Sequence, residues 1–322
     1  MPDNRDLRGP SDTPNAPASP KTVPWRYRLR RALLILGIVY LALFASIFML
    51  QEWLIFPGRT SQGRPESAIE PRTTRGESLI QATTSRGDRV VALLCPATDR
   101  LGRPLEATRD RPLMMLFHAN AESAASLVGL AQLFAEKGLN VVVPEYPGYG
   151  MSSGKPGEPA IYAGVDAVIE ALRTRPEIDV ARLVPAGWSL GAAVAIDTAS
   201  RHPTRGVVAL SAFTSIPDVA RRTFWFLPVG LMARHRFDNL SKLPTLRVPI
   251  FLAHGRHDRV VPFEMARELE RAARAPVTTR WLDADHNDLF TVGDERLLDD
   301  IAAFVRQCAD APATPTALQP EP

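Results

Sequence analysis

Between residues 112 and 308, short apolar runs alternate with longer segments of helical character, and this alternation limits the fold more than any other feature. The runs are PLMMLFH (112–118), NVVVPE (140–145), RLVPAG (182–187), GVVALS (206–211), VPIFLAH (248–254) and VTTRWLD (277–283). Between them lie AESAASLVGLAQLFAEKG (121–138), EPAIYAGVDAVIEALRTR (158–175), LGAAVAIDTASRH (190–202), PFEMARELERAARA (262–275) and ERLLDDIAAFVRQC (295–308), with Gly138 and Pro176 at expected helix stops. Upstream, ESLIQATTS (77–85) and RVVALLCP (89–96) flank Arg86-Gly87-Asp88 and read as a β-hairpin. An antiparallel start followed by strand–helix alternation predicts an α/β fold, a mostly parallel central sheet with helices on both faces.

A second feature precedes this domain. Residues 32–50, ALLILGIVYLALFASIFML, carry neither charge nor proline, about the length that crosses a bilayer's hydrocarbon core. A soluble core helix would show a polar face, and this run shows none. A cleaved signal peptide is the competing reading, but the run is long for one and no clear A-x-A site follows. The reading favoured is a retained transmembrane helix. RYRLRR (26–31) crowds its N-terminal side, while Gln51 and Glu52 follow it. The positive-inside tendency then places the N-terminus in the cytoplasm and the domain outside, periplasmic or extracellular.

Charge supports this division. Residues 1–31 hold seven basic and three acidic residues, which leaves 31 basic against 32 acidic in the remainder. A near-neutral body offers no electrostatic footprint for nucleic acid. Residues 1–31 and 309–322 are Pro-rich and polar at their outer ends, and both are expected to be disordered tails around a domain at 51–308. Cys95 and Cys308 are too few for a disulfide framework, and two small thiols is the plainer reading.

The pattern G-x-S-x-G, the mark of a serine raised on a strand-to-helix turn, occurs twice. GWSLG (187–191) follows an apolar strand and precedes a small-residue helix, the context that the mechanism needs. GMSSG (150–154) follows turn-rich PEYPGYG and is succeeded by KPGEP, whose prolines prevent a helix from starting there. Ser189 is therefore the candidate nucleophile, and Ser152 and Ser153 are loop residues. Pro185 is the discordant residue, since a central strand does not normally hold a proline.

A serine nucleophile needs a base, and the base an orienting acid. Downstream, VPIFLAHG leads into RHDRVVP and VTTRWLD leads into ADHNDLF. Asp258 and His286 thus fall in loops at the C-terminal ends of successive strands, where open α/β sheets build sites. Asp283, Asp285 and Asp288 are rival acids, though as sequence neighbours of His286 they are worse placed to reach its ring. The backbone N–H groups of Leu190 and Asn120 are the candidate oxyanion donors. Among the other histidines, His118 is read as a loop organiser, His202 as a helix end and His235 as surface. His254-x-x-His257-Asp258 lacks a third separated ligand, so no metal and no cofactor are expected.

With these residues in place the sequence resembles the α/β-hydrolases. It is similar in particular to the single-anchor serine hydrolases that include the eukaryotic protein depalmitoylases and related bacterial enzymes. The resemblance rests on FHANAES (117–123), PEYPGYGMSSGKP (144–156), GWSLG (187–191), SAFTSIPDVA (211–220), RFDNLSKL (236–243), HGRHDRVVP (254–262) and DADHNDLF (283–290). It implies Ser189 as nucleophile, Asp258 as acid, His286 as base, and Asn120 and Leu190 as oxyanion donors. Ala119 departs from it, standing where the family usually has glycine. The span between Ser211 and Lys242 leaves room only for a small cap, about 212–241, in which FWFLPVGL (224–231) would suit an acyl chain. The expectation is a membrane-anchored serine hydrolase that cleaves carboxylic esters or thioesters of a small-molecule or acyl-chain substrate. An oligopeptide or amide hydrolase with the same residues is the alternative, and a non-catalytic tethered binding protein is the third.

Overall fold

The computed structural model describes residues 24–312, so of the tails expected at 1–31 and 309–322 the outer parts, 1–23 and 313–322, lie outside the described residues, while 25–31 and 309–310 are helical. The chain forms two units, Met1–Ile47 and Phe48–Pro322. Helix α1 (Trp25–Ile55) is bracketed by Pro24 and Pro57, with no breaker strong enough to stop it between them. It starts earlier than expected. Arginine and leucine are good helix formers, so the basic stretch at 26–31 winds into the helix. Within the first unit the apolar side chains face outward, Leu33, Leu34, Leu36 and Leu41 all being exposed. By length and composition α1 is long and apolar enough to cross a membrane.

The second unit is built on eight strands: β1 (Ser78–Thr83), β2 (Arg89–Cys95), β3 (Leu113–Phe117), β4 (Asn140–Pro144), β5 (Leu183–Trp188), β6 (Val207–Leu210), β7 (Ile250–Gly255) and β8 (Val277–Leu282). Their order is β1-β2-β4-β3-β5-β6-β7-β8. The β1–β2 hairpin and the β2–β4 pair are antiparallel, and the other pairs are parallel. Side-chain alternation along β3 shows why the central strands are apolar throughout. Leu113, Met115 and Phe117 enter one core cluster, and Met114 and Leu116 enter the other, across the sheet.

The covering helices are α2 (Val128–Glu136), α3 (Glu158–Arg173), α4 (Leu190–Arg201), α8 (Phe263–Ala272) and α9 (Leu289–Asp310), and three short helices, α5 (Ile216–Thr223), α6 (Val229–Met232) and α7 (Asn239–Lys242), lie between β6 and β7, the first two in the segment expected to form a small cap. α9 extends beyond the expected segment at both ends. Asp294, at φ 42°, interrupts it, and its carboxylate accepts from Arg296 N–H, 3.0 Å. The expected helix from residue 295 is the part after this break. Cys95 and Cys308 are free and buried, and burial pushes their thiols up to about 12 and about 11.

Pro185 lies inside β5, opposite Met115 of β3. The ladder from β5 to β6 begins only at Ala186, opposite Val208. Leu183 C=O accepts from Arg205 N–H at 2.8 Å, and Ser189 N–H donates to Leu210 C=O at 2.9 Å, both on the β6 side. Hydrogen-bonding edges alternate along a strand, so the Pro185 nitrogen also faces β6, before that ladder starts. No ladder donor is lost.

Candidate active site

The C-terminal ends of β3, β5, β7 and β8 carry every candidate residue. β5 runs into α4 through Ser189, whose backbone is at φ 56°, ψ −114°, a conformation non-glycine residues rarely occupy. Two glycines make the turn possible. A Cβ on Gly187 would lie 2.2 Å from Gly191 O, and one on Gly191 would lie 2.2 Å from Phe117 O and 2.9 Å from His118 O. The second clash shows that the first turn of α4 sits against the exit of β3, which brings Leu190 beside the loop holding Asn120. The Ser189 side chain makes no capping hydrogen bond to the first turn of α4.

Asp258 follows β7, and its side chain is fully buried. Its Oδ1 accepts from the backbone N–H groups of Val260 and Val261, 2.9 and 2.6 Å, while Oδ2 accepts from His286 Nδ1 at 2.7 Å. Burial alone would raise this carboxyl. The hydrogen bonds from His254 and His286, the charge of His286 and the Val261 N–H outweigh it and hold Asp258 well below the usual carboxylate range. The rival acids are engaged elsewhere. Asp283 pairs with His257 at 2.5 Å, Asp285 accepts from Arg259 and His286 backbone N–H groups, and Asp288 stands at the start of α9. The His286 ring lies 5.8 Å from the ring of Trp188, the residue before Ser189.

The loop after β3 is held from several sides. Ala119 N–H donates to Glu122 Oε2 at 3.0 Å. Asn120 C=O accepts from Gly58 N–H and from Tyr149 OH, 3.0 and 2.9 Å, and its side-chain amide donates to Ile55 C=O at 3.2 Å. Tyr146 OH donates to His118 C=O at 2.9 Å. Ala119 is not among the residues with positive φ, so its methyl group brings no left-handed strain to the position where glycine is usual.

A family model described as serine aminopeptidase, S33, matches residues 108–235. An uncharacterized protein of Mycobacterium tuberculosis is 29% identical over 201 residues, 62% of this chain and 71% of that protein. Alpha/beta hydrolase domain-containing protein 17B of Homo sapiens is 32% identical over 174 residues, 52% of this chain and 57% of the relative. The Pyrococcus furiosus esterase Pf2001 superposes with a TM-score of 0.61 at 20% identity, over 74% of this chain and 95% of its own. The chain has the α/β-hydrolase fold.

On this α/β-hydrolase sheet the second G-x-S-x-G serves the loop, as its prolines indicate. Ser152 Oγ accepts from Val91 N–H at 3.0 Å and donates to Glu145 C=O at 3.1 Å, and Ser153 Oγ accepts from Arg89 N–H. Two histidines differ from expectation. His235 is buried rather than superficial, packed edge-on to Phe56 with ring centroids 5.1 Å apart and accepting from Glu158 N–H at Nδ1. His254, weighed only as a metal ligand, donates from Nε2 to Val261 C=O at 2.8 Å and lies 3.2 Å from Asp258 Oδ2. Glu145 went unmarked. It is fully buried beneath the β3 exit, 3.2 Å from His118 Nε2 and accepting from Ala124 N–H. The only sequence signal for it was its place at the end of a strand.

Proposed function

We propose that this chain of α/β-hydrolase fold is a membrane-anchored serine hydrolase that cleaves carboxylic esters or thioesters through Ser189, His286 and Asp258. The observation that carries the reading is the buried Asp258–His286 hydrogen bond on the same strand ends as a serine held at φ 56°. Asp258 fixes the His286 tautomer with Nδ1–H toward the acid, which turns Nε2 to the substrate side. Nε2 takes the Ser189 proton as the hydroxyl attacks the acyl carbonyl, and the N–H groups of Leu190 and Asn120 hold the oxyanion. His286 then protonates the leaving alcohol or thiol. Water repeats the attack, with its proton passing to His286, and releases the acid.

The ester side is favoured by the likeness to the Pyrococcus furiosus esterase Pf2001, and α1 is read as the single anchor, with the domain outside the cytoplasm. The serine aminopeptidase description of the family model favours a second reading, an amide hydrolase with the same residues. Turnover of p-nitrophenyl esters of graded chain length, a palmitoyl thioester and aminoacyl anilides by the full chain separates the two. The proposal expects ester or thioester turnover that disappears in Ser189→Ala. Turnover of anilides alone transfers the proposal to amides, and ester turnover that survives Ser189→Ala overturns the mechanism.

A further inference from the structure

The cap carries large apolar side chains that its own packing leaves outside. Leu227, Val229 and Met232 turn inward, at 5–6% exposure, whereas Trp225 is 77% and Leu231 91% exposed and Phe226 lies edge-on to Trp225. Trp225, Leu227, Val229 and Leu231 frame, with Arg221, Pro228 and Gly230, an open hollow of roughly 300 Å³. Isolated exposed apolar residues need no explanation, but three large ones within seven positions form a patch that does.

The cap is joined to the end of the apolar helix. Gln51, the first polar residue after the apolar run, donates from Nε2 to Met232 C=O at 3.4 Å and accepts from Arg234 N–H at 2.8 Å. The Arg234 guanidinium lies over the Phe48 ring at 4.3 Å and 3.6 Å from Glu52. Leu231 therefore neighbours a residue bonded to the point where α1 turns from apolar to polar, the level at which a membrane-spanning helix leaves the hydrocarbon. The charge matches an anionic surface. Residues 212–241 hold Arg221, Arg222, Arg234 and Arg236 against Asp218 and Asp238, a balance of +2, where the body of the chain is near neutral. Trp and Phe at this level with arginines around them is the chemistry of the headgroup region.

We propose that the cap tip, Trp225, Phe226 and Leu231, is a second membrane contact that lies in the headgroup region of an anionic bilayer. This rests on the reading of α1 as a membrane anchor. The tether keeps the tip within reach of one leaflet, so modest apolar burial and a few arginine–phosphate contacts suffice to hold it there.

The test uses the full chain in phosphatidylcholine vesicles with and without phosphatidylglycerol. A polarity-sensitive fluorophore is placed at Leu231→Cys, at Leu101→Cys and at Leu36→Cys, Cys95 and Cys308 being buried. Leu101 is 77% exposed in the loop after β2, at the opposite end of the parallel strands, and Leu36 is in α1. The expected result is several-fold stronger quenching by headgroup-proximal doxyl lipids at Leu231 than at Leu101, greater with phosphatidylglycerol and reduced by Arg221→Glu with Arg222→Glu. Quenching at Leu36 with none at Leu231 overturns the cap contact and leaves the anchor standing. No quenching at Leu36 removes the anchor, and the cap proposal falls with it. A blue shift at Leu231 that follows protein concentration without lipid quenching assigns the tip to a second copy and overturns the proposal.

Discussion

His254 and His286 both face one carboxylate, and their roles separate by what each nitrogen touches. His286 Nδ1 is bonded to Asp258 Oδ2, and in the proposed mechanism its other nitrogen serves the substrate. His254 Nε2 is committed to Val261 C=O and the same Asp258 oxygen, so it positions the acid without reaching the reaction. Asp258→Asn is expected to lower kcat by about 10³–10⁴-fold, because the amide no longer selects the productive tautomer. His254→Asn is expected to cost only about tenfold, roughly one hydrogen bond to a charged group. It also moves Asp258 toward the ordinary carboxylate range, because one of the hydrogen bonds that hold it down is removed, and the pH dependence of unfolding reads this. The stability effect has a definite sign. A depressed carboxyl stabilises the fold above its unfolded pKa and loses that contribution as pH falls through its lower folded value. The difference in unfolding free energy between the wild type and Asp258→Asn is therefore largest near neutral pH and shrinks below about pH 4, measurable by urea titration.

Elements set these residues in place, and at this scale the sequence was most legible. All eight strands fall within two residues of the runs that announce them. The inner strands, buried on both faces, have few polar positions to blur their ends, whereas the half-exposed edge strands β1 and β8 are marked by their β-branched residues and flanking turns. Gly187 and Gly191 were readable for the same kind of reason, since the turn they serve is local. Gly191→Ala is expected to push backbone against Phe117 O and to cost more than the ~1–3 kcal/mol of ordinary overpacking, seen as a fall in the urea midpoint with activity lost. What stayed hidden depends on distant packing. His254 reads as a ligand in its own loop and becomes a positioning residue only when Asp258 and Val261 fold around it. Asn120 likewise owes its setting to Ile55 and Gly58, which are more than sixty residues away. Gly58→Val would meet Tyr149, Asn120 O and Glu122 O, and the expected outcome is a larger fall in kcat than in thermal stability, separable by steady-state kinetics beside a melting curve.

For the whole molecule, the stretch after the apolar run is therefore part of the folded body that holds the candidate site and not a neutral linker. Phe48 to Gly58 touches the cap at Met232 and Arg234 and the β3 exit at Asn120. A version beginning at residue 60 is expected to lose most activity even when supplied with a water-soluble ester, whereas one beginning at residue 48 is expected to retain it. Comparing the two on the same ester checks this coupling apart from any effect of the bilayer. Substrate choice is where residue spacing says least, since acyl length depends on how the cap and its surroundings close over a chain.

The central claim is that Ser189 is the nucleophile, and covalent labelling tests it most directly. The full chain treated with a fluorophosphonate should gain one adduct, mapped by peptide mass spectrometry to Ser189, absent in Ser189→Ala and kept in Ser152→Ala. An unlabelled wild type, or an adduct that survives Ser189→Ala, contradicts the account.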